Sequence, residues 1–295
     1  MKETSVILFS RTVDSEALPF YGSMMQHLQM RQCRIRVAHE LYAKLVELGM
    51  TMPSDVEPVD LQNEKTDALA VLSVGGDGTF LEAARLMMGT DVPILGINRG
   101  RLGFLSDVSQ QKVNDAIDNL LAGDYRLGHH DVLSLYANSD REPVDYALNE
   151  FAVSKCDNSS MLTIHAYVDG EYLATYWADG LIIATATGST AYSMSVGGPI
   201  VYPSTQNLII TPIAPHNLNV RPLIVPNTVV IQLRVEGRGP NILMSLDGRT
   251  HVVENGCQLR IAKAPFDTPV VQLRNHSFFA TLRDKLMWGA DMRNN

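Results

Sequence analysis

Residues 68–88 read ALAVLSVGGDGTFLEAARLMM. The apolar run Ala68 to Val74 suits a strand covered on both faces. Gly75, Gly76, Asp77, Gly78 and Thr79 follow as a turn, in which three glycines let the backbone bend sharply and bring its N–H groups against an anion at a helix start. Phe80 to Met88 is then built from strong helix formers. Strand, glycine turn and helix together describe a phosphate-binding unit of an α/β domain. The embedded Asp77 is the unusual part, because a carboxylate repels phosphate unless it takes a hydroxyl proton as general base or holds a divalent cation. That combination points to phosphoryl transfer, and the competing reading is a structural turn whose Asp77 only caps the helix. The turn is neither a GxxxxGK[ST] phosphate loop nor a GxGxxG dinucleotide fingerprint.

Working outward, Val6 to Phe9 predicts a first strand, and Ile35 to Leu48 predicts a helix, with Leu41, Leu45 and Leu48 on one face and Gly49 as its stop. Val92 to Ile97 predicts another buried strand. The loop Asn98 to Phe104 leads from it to a helix carrying Val113, Ile117, Leu120 and Leu121 and ending at Gly123. From about His129 the helical spacing nearly vanishes and short strands with turn signals take over. The clearest is Thr163 to Trp177, folded about Asp169 and Gly170, a pair suited to a two-residue hairpin turn. Leu181–Ala184, Leu208–Ile213, Val229–Val235, Ile242–Leu246 and Leu259–Ala262 are further strands, and Phe278 to Trp288 is a final helix. The expectation is an α/β N-terminal domain with a parallel sheet over residues 1–128 and a β-rich domain over residues 129–265. Residues 266–295 form a C-terminal segment whose helix returns to the first domain.

A length of 295 residues supports two such lobes, each able to bury a core. With 24 Lys and Arg against 32 Asp and Glu, the formal net charge is -8, which argues against an extended nucleic-acid surface. No apolar run is long enough to span a membrane. Cys33, Cys156 and Cys257 form no CxxC pair and read as reduced thiols, so the cytoplasm is the expected compartment. His129 and His130 have no neighbours at metal-ligand spacing, and no protein-built metal site is expected.

Four constellations in the second half can carry binding. Asn149 and Glu150, at the end of a strand Asp145 to Leu148, offer an amide and a carboxylate that can read a base edge and ribose hydroxyls. Asp179 to Pro199 joins a buried strand to a loop dense in small residues and hydroxyls, including Thr187, Thr190, Ala191, Tyr192, Ser193, Met194 and Ser195; Tyr192 can stack on a base. His216 reads as a structural residue more than a phosphate contact. Asp247, Gly248 and Arg249 read first as a hairpin turn, with ligand contact the lesser reading.

Taken in order, GGDGT at 75–79, NRGRLGFL at 98–105, LNE at 148–150, DGLIIATATGSTAYSMSVGGPI at 179–200 and PHNLNVRPL from 215 resemble the NAD kinase family, over most of the chain from Ala68 to about Arg249. The GGDG loop alone also fits phosphofructokinases and lipid kinases; TGSTAY downstream of LNE does not. The resemblance implies transfer of the γ-phosphoryl of ATP to the 2′-hydroxyl of the adenosine ribose of NAD, giving NADP, with Mg²⁺ or Mn²⁺, in a homodimer or homotetramer. It implies Asp77 as proton acceptor. It also implies nucleotide contacts from Gly75, Gly76, Gly78, Thr79, Phe104, Asn149, Glu150, Trp177, Asp179, Thr187, the stretch Thr190 to Ser195, Ala214 and Arg249. Two positions depart from the family pattern: Trp177 stands where relatives often carry a basic side chain, which bears on the phosphoryl donor, and Ala186 replaces a common proline. A dinucleotide sensor that does not transfer phosphate, and a kinase of a lipid or sugar hydroxyl, are the other readings.

Overall fold

The computed structural model describes residues 4–63, 67–100, 103–138, 141–156, 161–217, 219–274 and 277–289. Arg101 and Leu102 of the NRGRLGFL segment and Leu218 of PHNLNVRPL lie outside the described residues. The elements in the first part are β1 Ser5–Phe9, α1 Leu18–Met30, β2 Arg34–Ala38, α2 His39–Glu47, β3 Val56–Val59, β4 Ala70–Val74, α3 Asp77–Leu86, β5 Ile94–Asn98, β6 Val108–Ser109 and α4 Val113–Ala122. Strands follow: β7 Tyr125–Ala137, β8 Asp145–Ala147, β9 Glu150–Lys155, β10 Leu162–Val168, β11 Glu171–Ala178 and β12 Gly180–Thr185. After a short helix, α5 Tyr192–Ser195, come β13 Asn207–Ile213, β14 Leu223–Pro226, β15 Ile231–Glu236, β16 Asn241–Leu246, β17 Arg249–Glu254, β18 Gln258–Leu273 and α6 Phe278–Leu286. The chain divides into two units, Met1–His129 with Thr268–Asn295, and His130–Asp267.

In the first unit β5, β4, β1, β2 and β3 lie side by side, all parallel, and Val270 of β18 pairs with Ile94 beyond β5. β1, β4 and β5 are buried at every residue, as a parallel sheet covered on both faces requires. The connection leaves β1 toward β2 and β3, then returns to the other side of β1 to enter β4. Such reversals of strand order leave a crevice at the carboxyl ends of the strands, which is where the GGDGT turn sits.

The expected helix over Ile35–Leu48 is corrected at its first part, where Arg34–Ala38 is strand β2 and the helix begins only at His39. The physical reason is the alternation in Arg34-Ile35-Arg36-Val37: Ile35 and Val37 are buried while both arginines are half-buried, and β-branched residues fit the pleat beside Val6 and Leu8 of β1. The strand expected over Asp145–Leu148 is also corrected. It stops at Ala147, and a separate strand begins at Glu150, so Asn149 lies in the break and Glu150 opens β9.

The second unit holds two antiparallel sheets, one ordered β14, β13, β12, β9, β16, β17 and the other built on β11, β10, β15 and β18. Their inner faces share one apolar core containing Phe151, Val153, Leu181 and Ile183 from the first sheet and Ile164, Leu233 and Ile261 from the second. Phe151 is fully buried, and truncating such a side chain to Ala costs about 3–5 kcal/mol. The β10–β11 hairpin turns on Asp169 and Gly170, at φ 50° and 82°, as the Asp-Gly pair predicts.

Candidate active site

Asp77 is the first residue of α3, so its carboxylate stands at the positive end of that helix. It faces the loop after β5. Its Oδ1 accepts the N–H groups of Leu105 and Ser106, each at 3.0 Å, and its Oδ2 accepts that of Phe104 at 3.0 Å. Lys285 of α6 places Nζ 3.3 Å from Oδ2 and 4.6 Å from the centre of the Phe104 ring, which also packs against Phe278 at 6.3 Å. A carboxylate offers about four acceptor positions, and all four are taken. Only Gly fits at position 103, where a Cβ would lie 2.0 Å from Asp77 Oδ1. Thr79 is buried beneath Gly75, with its N–H bonded to the Gly76 carbonyl at 2.9 Å.

In the second unit the Leu148–Glu150 segment is held on every backbone polar group. The Asp247 carboxylate accepts N–H bonds from Leu148 at 2.7 Å, Asn149 at 2.9 Å and Glu150 at 3.1 Å. Its own N–H donates to the Glu150 carbonyl at 3.1 Å. From the other side, the Thr185 hydroxyl reaches the Leu148 carbonyl at 2.6 Å and the Asn149 carbonyl at 3.2 Å, and the Thr185 N–H donates to the latter at 2.9 Å. Gly188 lies so close that a Cβ there would sit 2.1 Å from the Asn149 carbonyl oxygen. One side-chain oxygen of each is unpaired where the backbone is not: buried Asn149 Oδ1 and Glu150 Oε2 have no hydrogen-bond partner, while the Glu150 carboxyl also accepts the Tyr192 N–H. Buried polar atoms are ordinarily paired, so two unpaired ones on adjacent residues make this segment a candidate for ligand contact.

Burial, and then the Asp247 charge, push the Glu150 carboxyl up to about 8, opposed by an N–H bond from Tyr192. Burial raises Asp247 too, while its three N–H donors and Arg249 pull the other way. Of the two acids, Asp247 has three N–H donors that favour its anion, and its charge adds to the burial that raises Glu150, so Glu150 is the one that favours the protonated form.

The remaining predicted residues differ in how freely they can meet a ligand. Tyr192 is 42% exposed and Trp177 45%, with Trp177 in strand β11 opposite Thr163. Ser195 is exposed, Met194, Thr190 and Ala191 are half-buried, and Thr190 bonds back to the Thr187 carbonyl at 3.4 Å. Other hydroxyls are spent internally: Ser193 is buried against Thr211 at 2.9 Å, and Thr187 pairs with His130 at 2.8 Å. Asp179 pairs with Lys155 at 2.8 Å. Ala214 is exposed in the left-handed region at φ 44°, uncommon for a residue with a side chain. Arg249 forks onto Asp145 at 3.2 Å and onto the Tyr146 carbonyl, so its donors serve the fold. Sequence reasoning passed over three residues. Asp247 was legible first as turn chemistry, Thr185 only as one residue of the Asp179–Pro199 run just past the strand Leu181–Ala184, and Lys285 carried no signal that would bring it to Asp77.

The family profile described as ATP-NAD kinase N-terminal domain matches residues 6–125, and that described as ATP-NAD kinase C-terminal domain matches residues 148–273. A protein of Cytophaga hutchinsonii named NAD kinase is 40% identical over 288 residues, covering 97% of this chain and 99% of its own. One of Bacteroides fragilis with the same name is 43% identical over 289 residues, covering 97% and 98%. Among solved structures, yeast NADH kinase complexed with NADH superposes with a TM-score of 0.89 at 21% identity, covering 99% of this chain and 90% of that one, a likeness of fold. An NAD kinase from Archaeoglobus fulgidus in complex with ATP gives 0.75 at 25% identity, covering 96% and 99%. Matched along nearly its whole length by proteins of one name, the chain belongs to the NAD kinase family.

Proposed function

We propose that the protein transfers the γ-phosphoryl of ATP to the 2′-hydroxyl of the adenosine ribose of NAD, forming NADP and ADP. The observation that carries this reading is the 40% identity to a named NAD kinase across 97% of the chain, with the GGDGT carboxylate in place at the start of α3. In the step proposed, the ribose O–H bond breaks and its proton goes to Asp77. The freed oxygen bonds to the γ-phosphorus as the bond from that phosphorus to the ADP oxygen breaks. With all four acceptor positions of Asp77 occupied, the hydroxyl replaces the longest contact, that of Lys285 at 3.3 Å on Oδ2. Three backbone donors then hold the carboxylate in aim while it works. Asn149 and Glu150, with Asp179 and the Thr190–Ser195 stretch, are the dinucleotide contacts, and Tyr192 and Trp177 are exposed faces for stacking.

Among the described residues no group of three or more His, Cys, Asp or Glu side chains is arranged to hold a metal ion. Mg²⁺ or Mn²⁺ is assigned to the ATP it accompanies, and no step is drawn through it. No helix among the described residues is long and apolar enough to cross a membrane. A cytoplasmic homodimer or homotetramer is the proposed state.

The test is to incubate the purified protein with NAD or NADH and with a series of phosphoryl donors plus Mg²⁺, and to assay for NADP or NADPH. Formation of NADP from NAD and ATP is expected, and tight NAD binding without conversion would instead identify a sensor. Asp77→Asn should retain NAD binding and lose roughly 10²–10⁴ in turnover, the range for a general base. Unchanged turnover would remove Asp77 from the chemistry.

A further inference from the structure

The Leu148–Glu150 segment is unusual in how completely its main chain is fastened. The N–H groups of three successive residues converge on one carboxylate, and two of their carbonyls converge on one hydroxyl. We propose that Asp247, with Thr185 opposite it, is a positioning residue of the dinucleotide site, whose function is to fix the main chain from which Asn149 and Glu150 project. The inference rests on the assignment of those two side chains to NAD.

Three observations support it. Asp247 occupies the tip of the β16–β17 hairpin at φ 46° beside Gly248 at φ 80°, a turn that Asn or Gly would form as well, so the turn itself does not require a carboxylate. The carboxylate points away from its own turn, to residues about a hundred positions earlier in the chain. The two side chains it frames carry the unpaired atoms Asn149 Oδ1 and Glu150 Oε2, whose directions are set by the backbone that Asp247 and Thr185 hold. A second Asp-Gly hairpin provides an internal control: Asp169, at φ 50°, accepts the Val230 N–H on its carboxylate at 2.8 Å and donates its own N–H to the Val230 carbonyl at 2.9 Å, away from the Leu148–Glu150 segment.

The test compares Asp247→Asn with Asp169→Asn. Asn keeps the turn and the shape at position 247 but replaces one acceptor oxygen with an NH₂ that faces an N–H. Direct calorimetric binding of NAD in the absence of ATP, and steady-state kinetics with each substrate varied, are the readouts. For Asp247→Asn the NAD Kd and KM should rise roughly 10- to 100-fold, the range for losing a hydrogen bond to a charged group. The KM for ATP should stay within about twofold and kcat should fall by less than the NAD KM rises. Asp169→Asn should leave all four constants in place. If Asp247→Asn leaves the NAD constants unchanged, or lowers only kcat in proportion to the folded fraction, the proposal is wrong. Should that variant not fold, Thr185→Val tests the same frame from the carbonyl side, with a several-fold rise in the NAD constants expected and no rise overturning it. A wild-type protein that does not bind NAD at all would defeat the functional assignment instead, before any variant is compared.

Discussion

Asp77 and Asp247 use one device in two settings. Each gathers the N–H groups of three successive residues, 104–106 in the first case and 148–150 in the second. What surrounds them differs. The Asp77 side chain is 28% exposed and shares Oδ2 with the Lys285 ammonium, so one contact on it can be exchanged at little cost. Asp247 is half-buried as a residue, but its carboxylate is enclosed by three N–H donors and lies beside a second, buried acid, Glu150, where an unmade bond costs much of the desolvation of the group. Exchangeable surroundings suit a carboxylate that must take up a proton, and enclosed ones suit a carboxylate that must stay still.

The contrast breaks most readily at Gly103. A methyl group there would lie 2.0 Å from Asp77 Oδ1 and 2.7 Å from its Cγ, so Gly103→Ala must turn the carboxylate away from its three donors. Turnover should fall by roughly 10²-fold or more, the lower end of the general-base range. NAD affinity measured by calorimetry should hold. If turnover survives in a folded Gly103→Ala protein, the aim given by residues 104–106 does not matter, and the two aspartates are not alike in function.

Much of this asymmetry lay beyond what the sequence displays, and the reason is distance along the chain. The strand, turn and helix about Asp77, the Asp169 hairpin and the strand succession after His129 are local patterns, and local patterns can be read. β2 was hidden because Arg34–Ala38 runs directly into the helix at His39 with no Gly or Pro between them. α1 was hidden because Pro19, Gly22 and Ser23 dilute the spacing of Phe20, Met24 and Leu28. The partners of the two carboxylates were hidden most deeply: Asp77 meets residues 27 to 29 positions on and Lys285 208 positions on, and Asp247 meets residues 97 to 99 positions back. No periodicity encodes such pairings. The Asp-Gly at 247 announces a turn, which is present, and is silent about the second task of its side chain.

A smaller effect sharpens the comparison on the Asp247 side. Glu150 titrates at about 8 in the folded chain against 4.5 as a free side chain, because burial and the Asp247 charge disfavour its anion. Below 4.5 both states hold the proton and nothing is lost. As pH rises from there to about 8 only the unfolded chain releases it, so the protein loses stability across that window, by an amount on the order of a few kcal/mol. Glu150→Gln removes this titration and should decline less steeply than the wild type, keeping only the loss that the raised Asp247 carboxyl contributes. Urea midpoints at pH 5, 6.5 and 8, taken without nucleotide, decide it: parallel curves for the two proteins would mean that Glu150 ionises freely and that the pocket around Asp247 is not enclosed.

The smallest expected effect belongs to Lys285→Met, and it tests the open setting of Asp77. Both partners are about a third exposed, at 33% and 28%, and ion pairs in such positions are worth about 0–1 kcal/mol. Thermal stability should hardly move, and turnover should change by about two- to fivefold, the same energy expressed as a rate. Met retains the length that lies along the Phe104 ring while removing the charge, so what is measured is the ammonium on Oδ2. A loss approaching that of Asp77→Asn would show that the ammonium takes part in the transfer and does not simply yield its place to the incoming hydroxyl, and Asp77 would then be as firmly built in as Asp247.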